Sequence, residues 1–387
     1  MKTACLRVLH LNSLLAGGGT DDRSVRIAHA LHRLGHQVWL GGPGGREFSE
    51  VAQQLGLPFH PMPVGWLKLP LIFHAASFLR RQKFQLIHAR HGRDYWPAIL
   101  AARCSGIRPK VVLSRHLAKS PGSWFSRCFL LGQCDAMVAV SSFVAKVLRE
   151  GHADPGSDNP ERHFRPRMLG DHRKIHVVYG GFDMDRFVPQ SASSQRQAWG
   201  LEPGHYAFAV VGAYHLPRGK GQPEFLQAAA RIRSALPHAR FLIIGRGNMQ
   251  EKLETQITQL GLNGVACLTP YCQDMPAAMN AIDCLVLPQV GTEAIPGVVI
   301  EAHACGKPVI ASDLDGIPEA FNVAGYGQLV KTGSIEALAA AMLHWARKAP
   351  PDPAKRQQMH DCIAERFSLE RAARDLSDLY QFVMRAD

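Results

Sequence analysis

No uninterrupted apolar run of about 18 residues occurs in this 387-residue chain, so no membrane-spanning helix is expected. Nor is there a Cys-x-x-Cys pair among its nine cysteines, an odd number, which argues against zinc ribbons, dithiol redox motifs and a disulfide framework. Cysteines within runs such as "VACLTP" and "DCLVLP" read instead as buried free thiols in a reducing cytoplasm. Aromatics are 8% of the residues and seldom stand beside basic clusters, which leaves little for stacking on nucleic-acid bases. The start, "MKTACLRVLHLN", is cut short by His10 and Asn12, so it is read as a first strand rather than a signal segment. Acidic residues are scarce in one half: residues 1–183 hold 12 Asp+Glu against 25 Lys+Arg, and residues 184–387 hold 20 against 19. The overall charge of +12 thus belongs to the first half and suggests either an anionic partner there (nucleic acid, lipid headgroups or phosphorylated glycans) or simply a basic surface.

What is present is a regular alternation. Short apolar, β-branched runs ("CLRVLHLN", "QVWLGG", "PFHPMPV", "QLIHA", "KVVLS", "DAMVAV", "IHVVY") alternate with segments of 3–4 apolar spacing such as "DDRSVRIAHALHRLG" and "DYWPAILAARCSG". The second half repeats the theme with "AFAVVGA", "RFLIIG", "VACLT", "DCLVLP", "PVIAS" and "GQLV". Such alternation predicts an α/β chain with two doubly wound, parallel-sheet, Rossmann-like domains. The boundary is expected near the polar stretch that follows Gly180 and Gly181, giving domains 1–183 and 184–366, with an amphipathic helix in 367–387 that Ser368 is placed to cap. Residues 151–174, polar and basic near their end, read as a long surface loop.

In open α/β sheets, ligands bind beyond the carboxyl ends of strands, so polar residues immediately after strands are the candidates. Gly17, Gly18 and Gly19 follow the first strand and precede a helix, suited either to close approach of a ligand or to a plain tight turn. The run is not G-x-G-x-x-G, and Asp21 and Asp22 oppose a phosphate on that helix end. His116 directly follows "VVLSR". Arg218 and Lys220 stand with Gly219 and Gly221 in a loop between strand and helix, a fork donor and a point charge suited to a diphosphate. No Ser/Thr follows Lys220 at the spacing of a Walker A loop. In "GTEAIPGVVIEAHACGKP", Pro296 is comfortable only at a helix start. Glu293 is therefore expected in the loop, Glu301 one turn inside the helix, and the amides of Gly297 and Val298 at an anion-binding helix end. Two D-x-D triplets, at 183–185 and 313–315, are read as turn and linker residues rather than metal ligands.

These residues resemble the retaining nucleotide-sugar glycosyltransferases of the GT-B fold, family 4 (glycosyl transferases group 1). The likeness covers nearly the whole chain and is most specific in "RGKG", "LIIGRG" and "EAIPGVVIEAHACGKPVIASDLDGIPE". The resemblance implies two Rossmann-like domains facing across a cleft, with the terminal helix crossing back to the first. It implies that Lys220 and Arg218 hold the diphosphate of a UDP- or GDP-sugar, Glu293 the donor-sugar hydroxyls, Glu301 the ribose, and Gly297 and Val298 a phosphate. His116 would contact the transferred sugar near the reacting centre, and the glycines at 17–19 would border donor and acceptor. No cofactor or metal is expected. Ala213 and Tyr214 stand where the family often has an arginine, and Pro296 removes one amide from the phosphate site.

The expected acceptor is a saccharide or lipid-linked saccharide, as in lipopolysaccharide or other cell-surface glycan synthesis. Residues 65–84 mix aromatics with Arg80, Arg81 and Lys83, so peripheral contact with an anionic membrane at its cytoplasmic face is a further expectation, against the plainer reading of a half-buried helix with a basic edge. Nucleic acid is not an expected partner. The alternatives are a nucleotide-sugar epimerase or hydrolase on the same fold, and a non-catalytic protein binding anionic polymers.

Overall fold

The computed structural model describes all residues except 1–4, 14–18, 46, 64, 66–67, 154–163, 217, 271 and 386–387. It contains two compact units: one from Met1–His152, Phe164–Asp183 and Phe367–Asp387, the other carried by Met184–Arg366.

In the first unit the strands are β1 (Arg7–Leu11), β2 (Gln37–Gly42), β3 (Phe59–Pro61), β4 (Leu86–Ala89), β5 (Lys110–Arg115) and β6 (Ala136–Ala139). Two short strands, β7 (His152–Ala153) and β8 (Phe164–Arg165), stand at the described ends of the long loop, and β9 (Ile175–Val177) follows. The main sheet has the order β3-β2-β1-β4-β5-β6-β9, every pair parallel. Every residue of β4 and β6 is buried, which is why they read as unbroken apolar runs. Chain order reverses between β1 and β4, and there Asp94, just past β4, accepts hydrogen bonds from the Ser13 amide (2.8 Å) and hydroxyl, just past β1.

The second unit holds β10 (Tyr206–Val211), β11 (Ala239–Ile244), β12 (Ala266–Leu268), β13 (Cys284–Leu287), β14 (Val309–Ser312) and β15 (Gly327–Val330). Their order is β12-β11-β10-β13-β14-β15, again all parallel. This sheet changes direction between β10 and β13, the crevice where such sheets take ligands. Phe208, Phe225 and Phe241 anchor its core, with the Phe208 and Phe241 rings stacked at 5.8 Å.

The helix Leu369–Arg385 completes the core of the first unit. Ala372, Ala373, Leu376, Leu379, Tyr380 and Val383, spaced at the helical period, are buried with Val25, Ala28 and Leu31 of the helix Gly19–Arg33. Ser368 Oγ accepts from the Arg371 amide at 3.2 Å, capping the helix. The helix is also tied by its backbone: Phe182 donates to Phe367 O (2.8 Å) and Leu369 to Phe182 O (3.0 Å). Leu376→Ala is expected to destabilise this unit by about 2–5 kcal/mol, the usual cost of a buried leucine truncation. Urea unfolding followed by tryptophan fluorescence measures it; a loss under about 1 kcal/mol would show that the helix adds little to that core.

Buried polar groups join this helix to the sheet. Tyr380 Oη lies 2.9 Å from His10 Nε2 on β1 and 2.5 Å from His88 Nδ1 on β4, and His88 Nε2 lies 2.7 Å from Ser114 Oγ on β5. His36 accepts from the Leu6 amide and so presents Nε2–H to Ser377 Oγ at 2.8 Å.

Two sequence expectations need correction. All nine cysteines are free, but Cys5, Cys104 and Cys267 are exposed rather than buried; Cys267 lies on β12, an edge strand. Gly19 is the first residue of a helix rather than part of the preceding loop, while Gly17 and Gly18 lie outside the described residues. Among the described residues, no helix is long and apolar enough to cross a membrane.

Candidate active site

In the second unit, the loops after β10 and β13 meet at the sheet's switch point. Lys220 Nζ, from the first, forms an ion pair with Glu293 Oε2, from the second. Glu293 is the more enclosed partner, its side chain 12% exposed against 34% for Lys220. Two buried glutamines shape these loops. Gln222 Oε1 accepts from the Lys220 amide at 2.6 Å while its Nε2 reaches Gly212 O, and Gln289 Nε2 donates to the carbonyls of Gly291 (3.0 Å) and Thr292 (3.2 Å). Gly221 has φ +88°, and a Cβ there would overlap the Pro288 carbonyl, so only glycine lets the two loops come this close.

A third loop, after β14, supports Glu293. Asp315, at φ +52°, accepts from Thr292 Oγ1 at 2.5 Å and from the Glu293 amide at 3.3 Å. The Gly316 amide donates to Glu293 O at 3.1 Å. The second D-x-D triplet therefore does turn work, as read, but Asp315 also positions Glu293, which spacing does not reveal. Among the described residues no group of three or more His, Cys, Asp or Glu is placed to hold a metal ion.

Pro296 is the N-cap of the helix Gly297–Ala304, so Glu293 is in the loop and Glu301 is the fifth helical residue. The amides of Gly297 and Val298 belong to the first turn, whose N–H groups have no intrahelical acceptor. Arg218 is half-buried on the Lys220 loop and near Glu224, whose carboxyl is raised above its usual value by burial, against the pull of Arg218. Tyr214, at the position where the resembling family often has arginine, is buried in the core. Lys220 and Glu293 are thus brought together, with the N-cap Pro296 three residues beyond Glu293.

His116 lies in the first unit, directly after β5. Its Nε2 is buried without a hydrogen-bond partner among the described residues, and its pKa is held well below the usual value by burial and then by Arg90, Arg23, His91 and Arg115. It lines a cavity of about 290 Å³ together with Arg90, His91 and Arg93 from the loop after β4, Arg115 at the end of β5, and Ser123 at the start of the helix Trp124–Gln133. Arg90 is 8% exposed, and its Nε has no partner among the described residues. Sequence reading missed these arginines, although Arg90 stands directly after the apolar strand "LIHA" just as His116 stands after "VVLSR". The helix Leu69–Gln82 buries Leu71, Ile72, Ala75 and Phe78, exposes Leu69 and Phe73, and ends in Arg80 and Arg81.

Residues 205–348 match the family described as Glycosyl transferases group 1, and residues 17–156 match Glycosyltransferase Family 4. A D-inositol 3-phosphate glycosyltransferase of Rhodococcus erythropolis (strain PR4 / NBRC 100887) is 29% identical over 84% of this chain and 75% of its own length. Another curated relative is matched over only 60% of its length. A glycosyltransferase from Rickettsia africae ESF-5 superposes with a TM-score of 0.81 at 19% identity, over 99% of this chain and all of that one. Anabaena Alr3699/HepE, solved with UDP and glucose, superposes with a TM-score of 0.75 at 21% identity, over 97% of this chain and all of its own.

Proposed function

The chain belongs to the group 1, family 4 glycosyltransferases of the GT-B fold, and on that footing we propose that it moves a hexose-type sugar, with retention, from a UDP- or GDP-sugar to a saccharide or lipid-linked saccharide acceptor. The observation that carries this reading is the pairing of Lys220 with Glu293, 73 residues apart in sequence, at the switch point of the second sheet. In the proposal Lys220, with Arg218 on the same loop, holds the donor diphosphate. Glu293 accepts from donor-sugar hydroxyls and Glu301 from the ribose, while the amides of Gly297 and Val298 bind phosphate. Donor binding gives Lys220 phosphate oxygens in place of Glu293 and frees that carboxylate for the sugar.

The C1–O bond to the β-phosphate breaks and the acceptor oxygen bonds C1 on the same face. The acceptor proton passes to a phosphate oxygen of the departing nucleoside diphosphate. Negative charge grows on that diphosphate, so fixed cations and a helix N-terminus aimed at it lower the barrier. Neutral His116 is assigned to the transferred sugar, where an uncharged imidazole donates a hydrogen bond without competing for the diphosphate. No cofactor or metal enters the scheme, because the cations of Lys220 and Arg218 take the charge.

The basic first half supports an anionic acceptor, and we place the enzyme in synthesis of cell-surface glycans such as lipopolysaccharide. We further propose a cytoplasmic position at the inner face of the membrane, with the basic end of the helix Leu69–Gln82 toward anionic lipid.

Thermal-shift measurements with UDP-, GDP-, ADP- and CMP-sugars test the donor. One base is expected to raise Tm; at 100 times Kd the stabilisation is about 2.7 kcal/mol. No shift with any of them would sink the reading. Donor consumption without acceptor would instead indicate an epimerase or hydrolase.

A further inference from the structure

We propose that the loops after β4 and β5 form a binding site for the anionic group, a phosphate or carboxylate, of the saccharide acceptor. The inference rests on the glycosyl-transfer reading and adds to it the residues that take the acceptor's charge. Three arginines and two histidines line the 290 Å³ cavity, and among the described residues no carboxylate does. The one carboxylate on the same loop, Asp94, is turned to Ser13. Arg90 is buried with Nε unpartnered among the described residues. A guanidinium does not shed its proton, so burying one without a counter-ion is costly unless a ligand supplies the charge.

Arg115 is held in place by two carbonyls: its Nε donates to Lys119 O (2.7 Å) and its Nη2 to Ser120 O (3.2 Å). The Tyr95 hydroxyl also bonds this guanidinium, and Nη1 would lie 3.4 Å from a Cβ at Gly92, so the absent side chain leaves that space clear. Arg93, exposed on the single turn Gly92–Asp94, adds a cation that can move onto a ligand. Ser123, the N-cap of the ten-residue helix Trp124–Gln133, brings the positive end of a helix dipole to the same wall. The site occupies the carboxyl ends of strands beside the reversal between β1 and β4, the position where open sheets hold ligands. At a liquid-water share of about 30 Å³ per molecule the cavity equals about ten waters. That is room for an oxyanion together with part of the ring that bears it.

The test uses the full chain, titrated calorimetrically with inorganic phosphate and, separately, with UDP. Wild type is expected to bind phosphate, and Arg93→Ala and Arg90→Gln to weaken it at least tenfold with UDP affinity unchanged. Arg90→Lys, which keeps the charge, should retain part of the phosphate affinity. With the donor found by thermal shift, glucose, glucuronate and glucose 6-phosphate are then compared as acceptors. A charged acceptor is expected to exceed glucose at least tenfold in kcat/KM, through KM, and to lose that advantage in Arg93→Ala. Equal phosphate binding by wild type and Arg93→Ala, or glucose used as well as the charged sugars, would overturn the proposal. Arg93-dependent phosphate binding without any nucleotide binding would keep the site and remove the transferase reading; UDP binding without phosphate binding would do the reverse. Competition against phosphate by phosphatidylinositol vesicles but not by glucose 6-phosphate assigns the group to a lipid-borne acceptor, and the opposite result to a soluble one.

Discussion

Lys220→Ala is expected to lower kcat with the preferred donor by about 10²–10³, the usual consequence of removing one preorganised charge from a developing oxyanion. The loss should appear in kcat more than in KM, because the diphosphate gains charge as the glycosidic bond breaks and the lysine is worth most at that moment. The fold should survive, since Glu293 keeps a hydrogen bond from the Ala294 amide when the lysine is removed. Glu293→Gln should also reduce turnover, and the double variant should lose far less than the product of the two single losses, because the groups act on one ligand. If Lys220→Ala turned over every donor tested at the wild-type rate, the diphosphate assignment would be wrong.

The second large effect concerns acid. His10 and His88 are fully buried, and desolvation, followed by the charge of Arg90, holds both pKa values well below the usual 6.5. In the second unit burial lowers His303 to about 4. Because each folded value lies below the unfolded one, protons bind the unfolded chain first as pH falls. Stability from these residues is complete above about pH 6.5 and drains away below it, toward each folded value. By pH 5 His303, with its folded value of about 4, is expected to remove about 2 kcal/mol, at 1.4 kcal/mol per pH unit. With two such residues around Tyr380, the first unit should unfold at lower urea at pH 5 than at pH 7. An unchanged urea midpoint between pH 7 and pH 5 would refute the neutral, buried state of these imidazoles.

Much of the architecture was legible because parallel strands buried on both faces must be apolar throughout. "LIHA", "CLVL" and "VIAS" announce themselves without any alignment. The split at Pro296 was legible for a similar reason, since a residue without an amide hydrogen is tolerated only at a helix start. Helices such as Trp124–Gln133 and Pro353–Phe367 escape the pattern: in the first, Trp124, Phe125 and Phe129 are all exposed while Leu130 and Leu131 are buried, and the second lacks a continuous apolar stripe. The residues that shape the site were the least visible. Gln222, Gln289 and Asp315 act on the backbone of loops, and only the approach of β10, β13 and β14 tells which loop each one reaches. The charge excess of the first half was plain, but its concentration around Arg90, Arg93 and Arg115 depends on the adjacency of β4 and β5.

The helix Leu369–Arg385 sets a timetable for synthesis. Domains commonly fold in the order in which they leave the ribosome, the N-terminal one first. Here the first unit lacks Leu376, Tyr380 and Val383 until the second unit has been translated in full. At about 5–20 residues per second that delay is roughly 10–40 s. Throughout it Val25, Ala28 and Leu31 lack the helix that completes their core, and His10 and His88 their tyrosine. The unit made last is therefore finished first, and the nascent first half, with its open apolar face, is the stretch of chain most in need of chaperone cover.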